Sequence, residues 1–422
     1  MATPESVTRT YYALTLSATL ASSFIWGVNT LFLLDAGLTN TQAFAANAFF
    51  TLGQVLFEIP TGVVADVRGR KLSFLLGAGT LLLSTILYLV MWQTGAPFWG
   101  WAIASMFIGL GFTFFSGATE AWLVDALAFT GYKGHLDTVF ARGQSFTGVG
   151  MLIGAIGGGF LAQATSLGAP YVVRIVLLGV TMLIAAVAMK DLGFTPVEGK
   201  GPVDEVKTLI EHSIESGLKN PPVRWMMLAQ PFTFGVSIYA FYAAQPYLLE
   251  LYGDDTAYGV AGLAAALFAG AQIIGGITVP YARKLFTFRT QYLLIATLVS
   301  VVSLIVIGWS SNFWIVVGMF VVWSMTAAAA MPMRQAYVNG VIPSDRRATV
   351  LSFDSLMGSA GGVVTQPLLG RVADVWGYST SYIAAAGIQA LAIPFIFMAR
   401  RENAPSDPLV GDSEADVESS EA

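Results

Sequence analysis

Apolar runs of membrane length recur along almost the whole chain, separated by short turns that carry most of its charges. A helix needs about 20 predominantly apolar residues to cross the hydrocarbon core. Inside lipid such a run must satisfy its own backbone hydrogen bonds, which a helix does. By that test the spacing predicts spans at 11–34, 42–64, 72–93, 97–127, 139–165, 169–190, 223–250, 259–282, 290–309, 312–340, 346–370 and 377–400. The fourth and tenth exceed what a bilayer requires, so tilt or extension beyond it is expected. Composition agrees: 55% of residues are hydrophobic and 11% charged, against roughly 25% charged in soluble proteins.

Basic residues orient the array, because short loops on the cytoplasmic side hold the excess of Lys and Arg. With the N-terminus inside, all of the 21 basic residues except Arg174 and Arg371 fall on the inner side. Both termini are therefore expected in the cytoplasm, in a multi-pass protein of the cell membrane. No cleavable leader is expected, since the first apolar run is already membrane-length. The chain has no cysteine, which excludes disulfides and thiolate metal sites. His135 and His212 fall in inner loops and form neither a metal cluster nor a catalytic triad. The stretch Gly193 to Gly201 lacks the spacing and the hydroxyl residue of a nucleotide-phosphate loop, so neither cofactor nor metal is expected. The net charge of −5 points to no nucleic-acid partner.

The chain also repeats itself. Gly62-Val63-Val64-Ala65-Asp66, Gly159-Phe160-Leu161-Ala162-Gln163, Gly276-Ile277-Thr278-Val279-Pro280 and Gly370-Arg371-Val372-Ala373-Asp374 each close a third helix. The middle interval is longer by about the length of a central linker. The expected organisation is a six-helix bundle over 1–190, a linker over 191–222, a second bundle over 223–401 and a disordered acidic tail over 402–422. Within the linker, Val206, Leu209, Ile210, Ile214 and Leu218 share one helical face, which predicts a short amphipathic helix on the membrane surface.

The turn Gly62-Val63-Val64-Ala65-Asp66-Val67-Arg68-Gly69-Arg70-Lys71 lies between the second and third spans. It resembles the signature loop of the major facilitator superfamily, secondary transporters with two six-helix halves, each a nested inverted repeat. The resemblance implies an all-α membrane fold of twelve helices in two pseudo-symmetric bundles. It also implies a latch built from Gly62, Asp66, Gly69, Arg70 and Lys71, completed by Asp125 on the fourth helix, with Gly62 allowing close helix approach. The fifth helix, with Gly150, Gly154, Gly158 and Gly159, is similar to the glycine-rich motif of drug-exporting members, although Ala155 replaces its proline. Small residues at this spacing equally serve helix packing. Where proton antiporters carry a fourth-helix arginine, this chain has Ser105, so the role of that arginine does not carry over.

Ionisable residues inside a membrane are costly and mark function or pairing. Asp125 with Arg142, and Arg334 with Asp354, are expected to pair, signs exchanged between the halves. Glu120 lies roughly 140° around the helix from Asp125, which leaves it to face the cavity as the protonatable or cation-attracting group; a second contact to Arg142 is the alternative. Glu58, beside Pro60, reads as structural. The family fold places the first, fourth, seventh and tenth helices around the cavity, with Trp26, Asn29, Phe115, Thr119, Tyr239, Tyr242, Gln245, Trp323 and Met331 as lining candidates. Pro246 is expected to interrupt hydrogen bonding in the seventh helix.

Together these readings predict a monomeric secondary transporter working by alternating access, exporting small amphipathic compounds against a proton gradient, with lipid as its surroundings. An importing symporter or facilitator is the alternative within transport. A transport-dead receptor or scaffold is the alternative outside it. No catalytic constellation is present, so an enzyme is not expected.

Overall fold

The computed structural model describes residues 2–196, 207, 214–343 and 346–409. Most of the predicted linker helix and the chain beyond Leu409 lie outside these residues; of the linker's apolar face, Ile214–Leu218 forms one π-helical turn.

The elements are α1 (Pro4–Ser23), α2 (Asn29–Asp35), α3 (Asn40–Arg68), α4 (Arg70–Thr94), α5 (Phe98–Thr113), α6 (Ala118–Phe129), α7 (Leu136–Ala164) and α8 (Ala169–Ala188). After the linker come α9 (Pro221–Tyr252), α10 (Tyr258–Leu285), α11 (Arg289–Trp309), α12 (Phe313–Asn339), α13 (Arg347–Ala390) and α14 (Ala392–Arg401). Among the described residues, 9 helical segments are long and apolar enough to cross a membrane. One of them, Thr349–Arg401, turns back at Gly377, whose φ of 81° only glycine adopts readily, and so supplies two crossings. The interrupted α1–α2 and the more polar α9 complete the twelve expected spans.

Local sequence explains where the helices begin. Thr3 and Thr39 form capping boxes with Ser6 and Gln42, each hydroxyl accepting from the backbone N–H three residues on. Asn312 accepts from the N–H groups of Trp314 and Ile315 at the start of α12. Gly69, at φ 103°, makes the one-residue turn between α3 and α4.

Two of the predicted spans are broken. The first is interrupted over residues 24–28, between α1 and α2, and the fourth over 114–117, between α5 and α6. Gly117, at φ 68°, ends the second break. Pro246 removes one helical hydrogen bond, as expected, but α9 continues through it without a break. One lost N–H does not end a helix of this length in surroundings that already exclude water.

The helices are arranged for lipid. α8 turns Val172, Val176, Val180, Leu183 and Val187 outward at helical spacing, while burying Tyr171, Arg174, Leu178, Thr181 and Ala185. Its apolar side is exposed and its polar side covered, the reverse of a helix on a water-soluble protein. Because lipid tails are as apolar as leucine, burial alone gives little, and close packing with interhelical hydrogen bonds holds the bundle.

The chain forms two compact units, Met1–Val206 with Phe241–Ala269, and Lys207–Ala240 with Gly270–Ala422. The predicted bundles, 1–190 and 223–401, differ from these units chiefly in where residues 241–269 of α9 and α10 go. Residues 241–269 pack with the N-terminal helices, through contacts that sequence periodicity cannot display.

The predicted disordered tail also differs at its start. Residues 402–409 are strapped to the second unit. Leu409 N donates to Thr287 O, Arg289 donates to the carbonyls of Ser406, Asp407 and Pro408, and Asp407 caps α11 by accepting from Thr290 N at 2.8 Å and Thr290 Oγ1 at 2.7 Å. A polar composition suggests disorder, but here the acidic side chain meets a helix N-terminus, where negative charge is favoured.

The α1–α7 seam makes a direct prediction. Ser23 Oγ donates to Gly150 O at 2.9 Å, and a methyl group on Gly158 would overlap the carbonyl of Phe24, whereas one on Gly157 meets only the Phe24 ring, at 3.5 Å. Gly158→Ala is expected to destabilise by about 1–3 kcal/mol and Gly157→Ala to be close to neutral. Thermal melts of the purified variants check this; equal melting of the two would show that the seam can relax.

Candidate functional site

The break in the fourth span creates a hollow within the first unit. The chain leaves α5 at Thr113 and enters α6 at Ala118, which puts Phe115, Ser116 and Gly117 in an open turn facing α1. The resulting cavity, of about 390 Å³, is lined by Tyr11, Leu14, Thr15, Ala18 and Thr19 of α1, Phe74 of α4 and Phe112 of α5. Phe115, Ser116 and Gly117 of the break, Thr119 and Glu120 of α6, and Gln144 and Thr147 of α7 complete it. The Phe74 and Phe115 rings lie 4.6 Å apart and tilted.

Glu120 sits in the first turn of α6, where unpaired N–H groups favour a carboxylate. No lysine or arginine lines the cavity with it. The arrangement offers one anionic group, aromatic faces and a ring of hydroxyls. That chemistry attracts and orients a cation with an apolar body. The alternative second contact of Glu120 with Arg142 does not form among the described residues.

Glu58 of α3 is bonded to the same turn. Ser116 Oγ donates to Glu58 Oε1 at 2.7 Å, and Ser73 Oγ donates to Phe114 O at 2.9 Å. These bonds satisfy polar groups that the break would otherwise leave bare in the membrane, consistent with the structural role read for Glu58. Sequence reading missed Tyr11, Thr15 and Thr19 in the lining; their i, i+4 spacing was the available signal.

Several predicted lining residues lie elsewhere. Asn29 is buried and donates to Asn47 Oδ1 at 3.0 Å while accepting from Tyr171 OH. Trp26 packs against the apolar core of the first unit, and the Tyr242 ring lies edge-on to Phe241. Gln245 is buried and bonded to the backbone of the first span. In the second unit Tyr239 is fully buried and donates to Ser381 Oγ at 2.6 Å; Trp323 is buried, and Met331 is exposed. Of the nine, Phe115 and Thr119 line this cavity. Apart from the exposed Met331, the others are packed or bonded against neighbours that only folding supplies.

The two expected ion pairs behave differently. Arg334 binds Asp354 through both carboxylate oxygens, at 2.7 and 2.5 Å, and also donates to Met226 O. Asp125 and Arg142 form no such pair. Arg142 is exposed on α7 and Asp125 half-buried on α6, so equal depth on a hairpin did not imply facing sides.

In the signature loop, Asp66 near the end of α3 and Arg70 at the start of α4 form an ion pair across the Gly69 turn. The carboxylate that meets the start of α4 is Asp191, accepting from Lys71 N at 2.9 Å, while Lys71 Nζ donates to Ala186 O. Asp125, expected in that relay, is not bonded there. Gly62 has open space where a side chain would stand, so no close helix approach uses it in this conformation.

Arg174, one of the two basic residues not assigned to the inner side, is buried in the first unit, 1% exposed. It donates to Thr85 Oγ1 and to the carbonyls of Ala21 and Ser22, at the end of α1 where the break frees them. A cation at a helix C-terminus is favourable, and the interruption supplies that terminus inside the membrane.

Among solved structures the fold is similar to the nucleoside transporter NupG, at a TM-score of 0.75 and 10% identity, covering 93% of this chain and 98% of that one. It is similar to a bacterial homolog of the human lysosomal transporter Spinster, at 0.68 and 14%, covering 94% and 96%. It is also similar to a D-xylose-proton symporter, at 0.67 and 13%, covering 93% and 96%. No curated protein matches the sequence. The sequence profile described as Major Facilitator Superfamily matches residues 11–288 and 255–419. The chain belongs to the Major Facilitator Superfamily, and is a multi-pass membrane transporter rather than an enzyme.

Proposed function

We propose that this transporter exports small amphipathic cations across the cell membrane in exchange for protons, by alternating access, with both termini in the cytoplasm. The observation that carries the reading is Glu120, a lone carboxylate without a lining cation, among Tyr11, Phe74, Phe112 and Phe115. A proton and a cationic substrate compete for such a group, which is what antiport requires. Release on one face follows protonation, and proton release follows substrate binding on the other. The protein acts as a monomer surrounded by lipid. The Asp66–Arg70 pair serves the inner latch, supported by Asp191, which accepts from Lys71 N at the start of α4.

The hydroxyls of Thr15, Thr19, Ser116, Thr119 and Thr147 favour a second reading, uptake of a polar, hydrogen-bonding solute. The xylose-proton symporter of the same fold is named for such a substrate. Retention of a panel of fluorescent amphipathic cations in expressing cells, with and without a protonophore, tests the two. Export predicts low retention that rises when the gradient is collapsed. Retention unchanged across the panel, with gradient-dependent uptake of a sugar or nucleoside, replaces export by the second reading.

A further inference from the structure

The interruption of the first span separates two groups that an unbroken helix would join. In a continuous helix Thr30 N–H bonds the carbonyl of Trp26, four residues back. Here the Gln245 side chain stands between them: Thr30 N donates to Gln245 Oε1 at 2.9 Å, and Gln245 Nε2 donates to Trp26 O at 2.6 Å. Gln245 is 3% exposed, so the carboxamide, and not water, satisfies both backbone groups. Its paired donor and acceptor act as an inserted peptide unit would.

The rest of the segment 241–269 is seated on the same helices. A methyl group on Gly27 would lie 2.8 Å from Gly262 Cα, and one on Gly262 would lie 2.6 Å from Ala155 O. Gly259 N donates to Gln163 Oε1 at 2.9 Å. Backbone thus meets backbone along this seam. If the segment moves away, Trp26 O and Thr30 N–H can bond each other directly. Both arrangements then leave neither of these two backbone groups bare, which is the property of an element with two stable states.

We propose that Gln245 is a removable splice: its amide bridges the break in the first span while residues 241–269 are seated, and its withdrawal lets that span close its own hydrogen bond as the seam opens. The place of this step in a transport cycle rests on the alternating-access reading. The splice itself is tested without any substrate.

Because the chain has no cysteine, a single introduced thiol reports on one position. Ala261→Cys places it in the seam, where the native residue is 1% exposed, and Ala104→Cys places it in the core of the first unit, at 0%. In purified protein, Gln245→Leu is expected to speed labelling of the Ala261→Cys thiol by a hydrophilic maleimide on the order of tenfold, with the Ala104→Cys thiol still protected. Gln245→Glu keeps the acceptor for Thr30 but not the donor for Trp26, and should fall between. Unchanged labelling at position 261 would overturn the proposal, as would a parallel rise at position 104, which would mean general unfolding. Should Ala261→Cys fail to fold, amide hydrogen exchange in the cysteine-free Gln245→Leu protein serves instead. Faster exchange confined to residues 24–34 supports the splice, and unchanged or uniformly faster exchange rejects it.

Discussion

Glu120→Gln is expected to abolish gradient-driven transport and to leave the protein folded. The side chain is open to the cavity and makes no ion pair among the described residues, so a neutral isostere changes stability by no more than about 0.5 kcal/mol. Its loss nevertheless removes the one carboxylate of the lining. Without it a proton gradient has nothing in the pocket to act on. Proteoliposomes with an imposed pH gradient separate the effects: net transport should fall to the level of empty liposomes, while exchange of labelled for unlabelled substrate at equal pH persists, with weakened affinity. A Glu120→Gln protein that still accumulates substrate against its gradient would remove this residue from coupling. Gln144→Leu, which changes a neutral lining residue, should alter affinity and leave coupling intact.

The largest expected effect on stability lies in the second unit, at Arg334. Asp354 is 4% exposed, and both of its oxygens rest on the guanidinium. Arg334→Met would strand that carboxylate in low dielectric, at a cost of about 3–5 kcal/mol. The double change Arg334→Met with Asp354→Asn removes both charges and should recover much of the loss, since a buried pair contributes little beyond its own desolvation. The Asp66–Arg70 pair is the contrast: the Asp66 side chain is 49% exposed, so Arg70→Met should cost no more than about 1 kcal/mol. Thermal melts of purified protein decide. A single Arg334→Met variant that melts with the parent would mean that water reaches Asp354.

These two residues also mark how far a linear reading went. Arg334 and Asp354 were legible as a pair because each is a lone charge in an apolar run, and isolated charges in lipid must find partners. The same logic applied to Asp125 and Arg142 went astray. Depth along two helices follows from residue number, but the direction a side chain faces depends on helix rotation, which packing sets. Glu120 was found by angular separation within one helix, a local quantity. Its neighbours Tyr11, Thr15 and Thr19 come from another span and were not found. Asn29, Gln245 and Tyr239 were read as cavity residues because polarity in a span suggests a pocket; in the fold each satisfies a buried partner instead. The breaks at 24–28 and 114–117 left faint traces in Gly27 and Gly117. Glycine alone does not interrupt a membrane helix, and what keeps these breaks open is the bonding of Arg174, Gln245, Ser73 and Glu58 from other elements.

The sequence by itself determined the crossings and the family, because membrane length, backbone self-sufficiency and the signature turn are properties of contiguous residues. Only the tertiary structure decided where the first and fourth spans break, which side chains line the cavity, and that residues 241–269 pack with the N-terminal helices. Those outcomes depend on which backbone groups are left unpaired and which distant side chain reaches them, and that is settled when the helices pack.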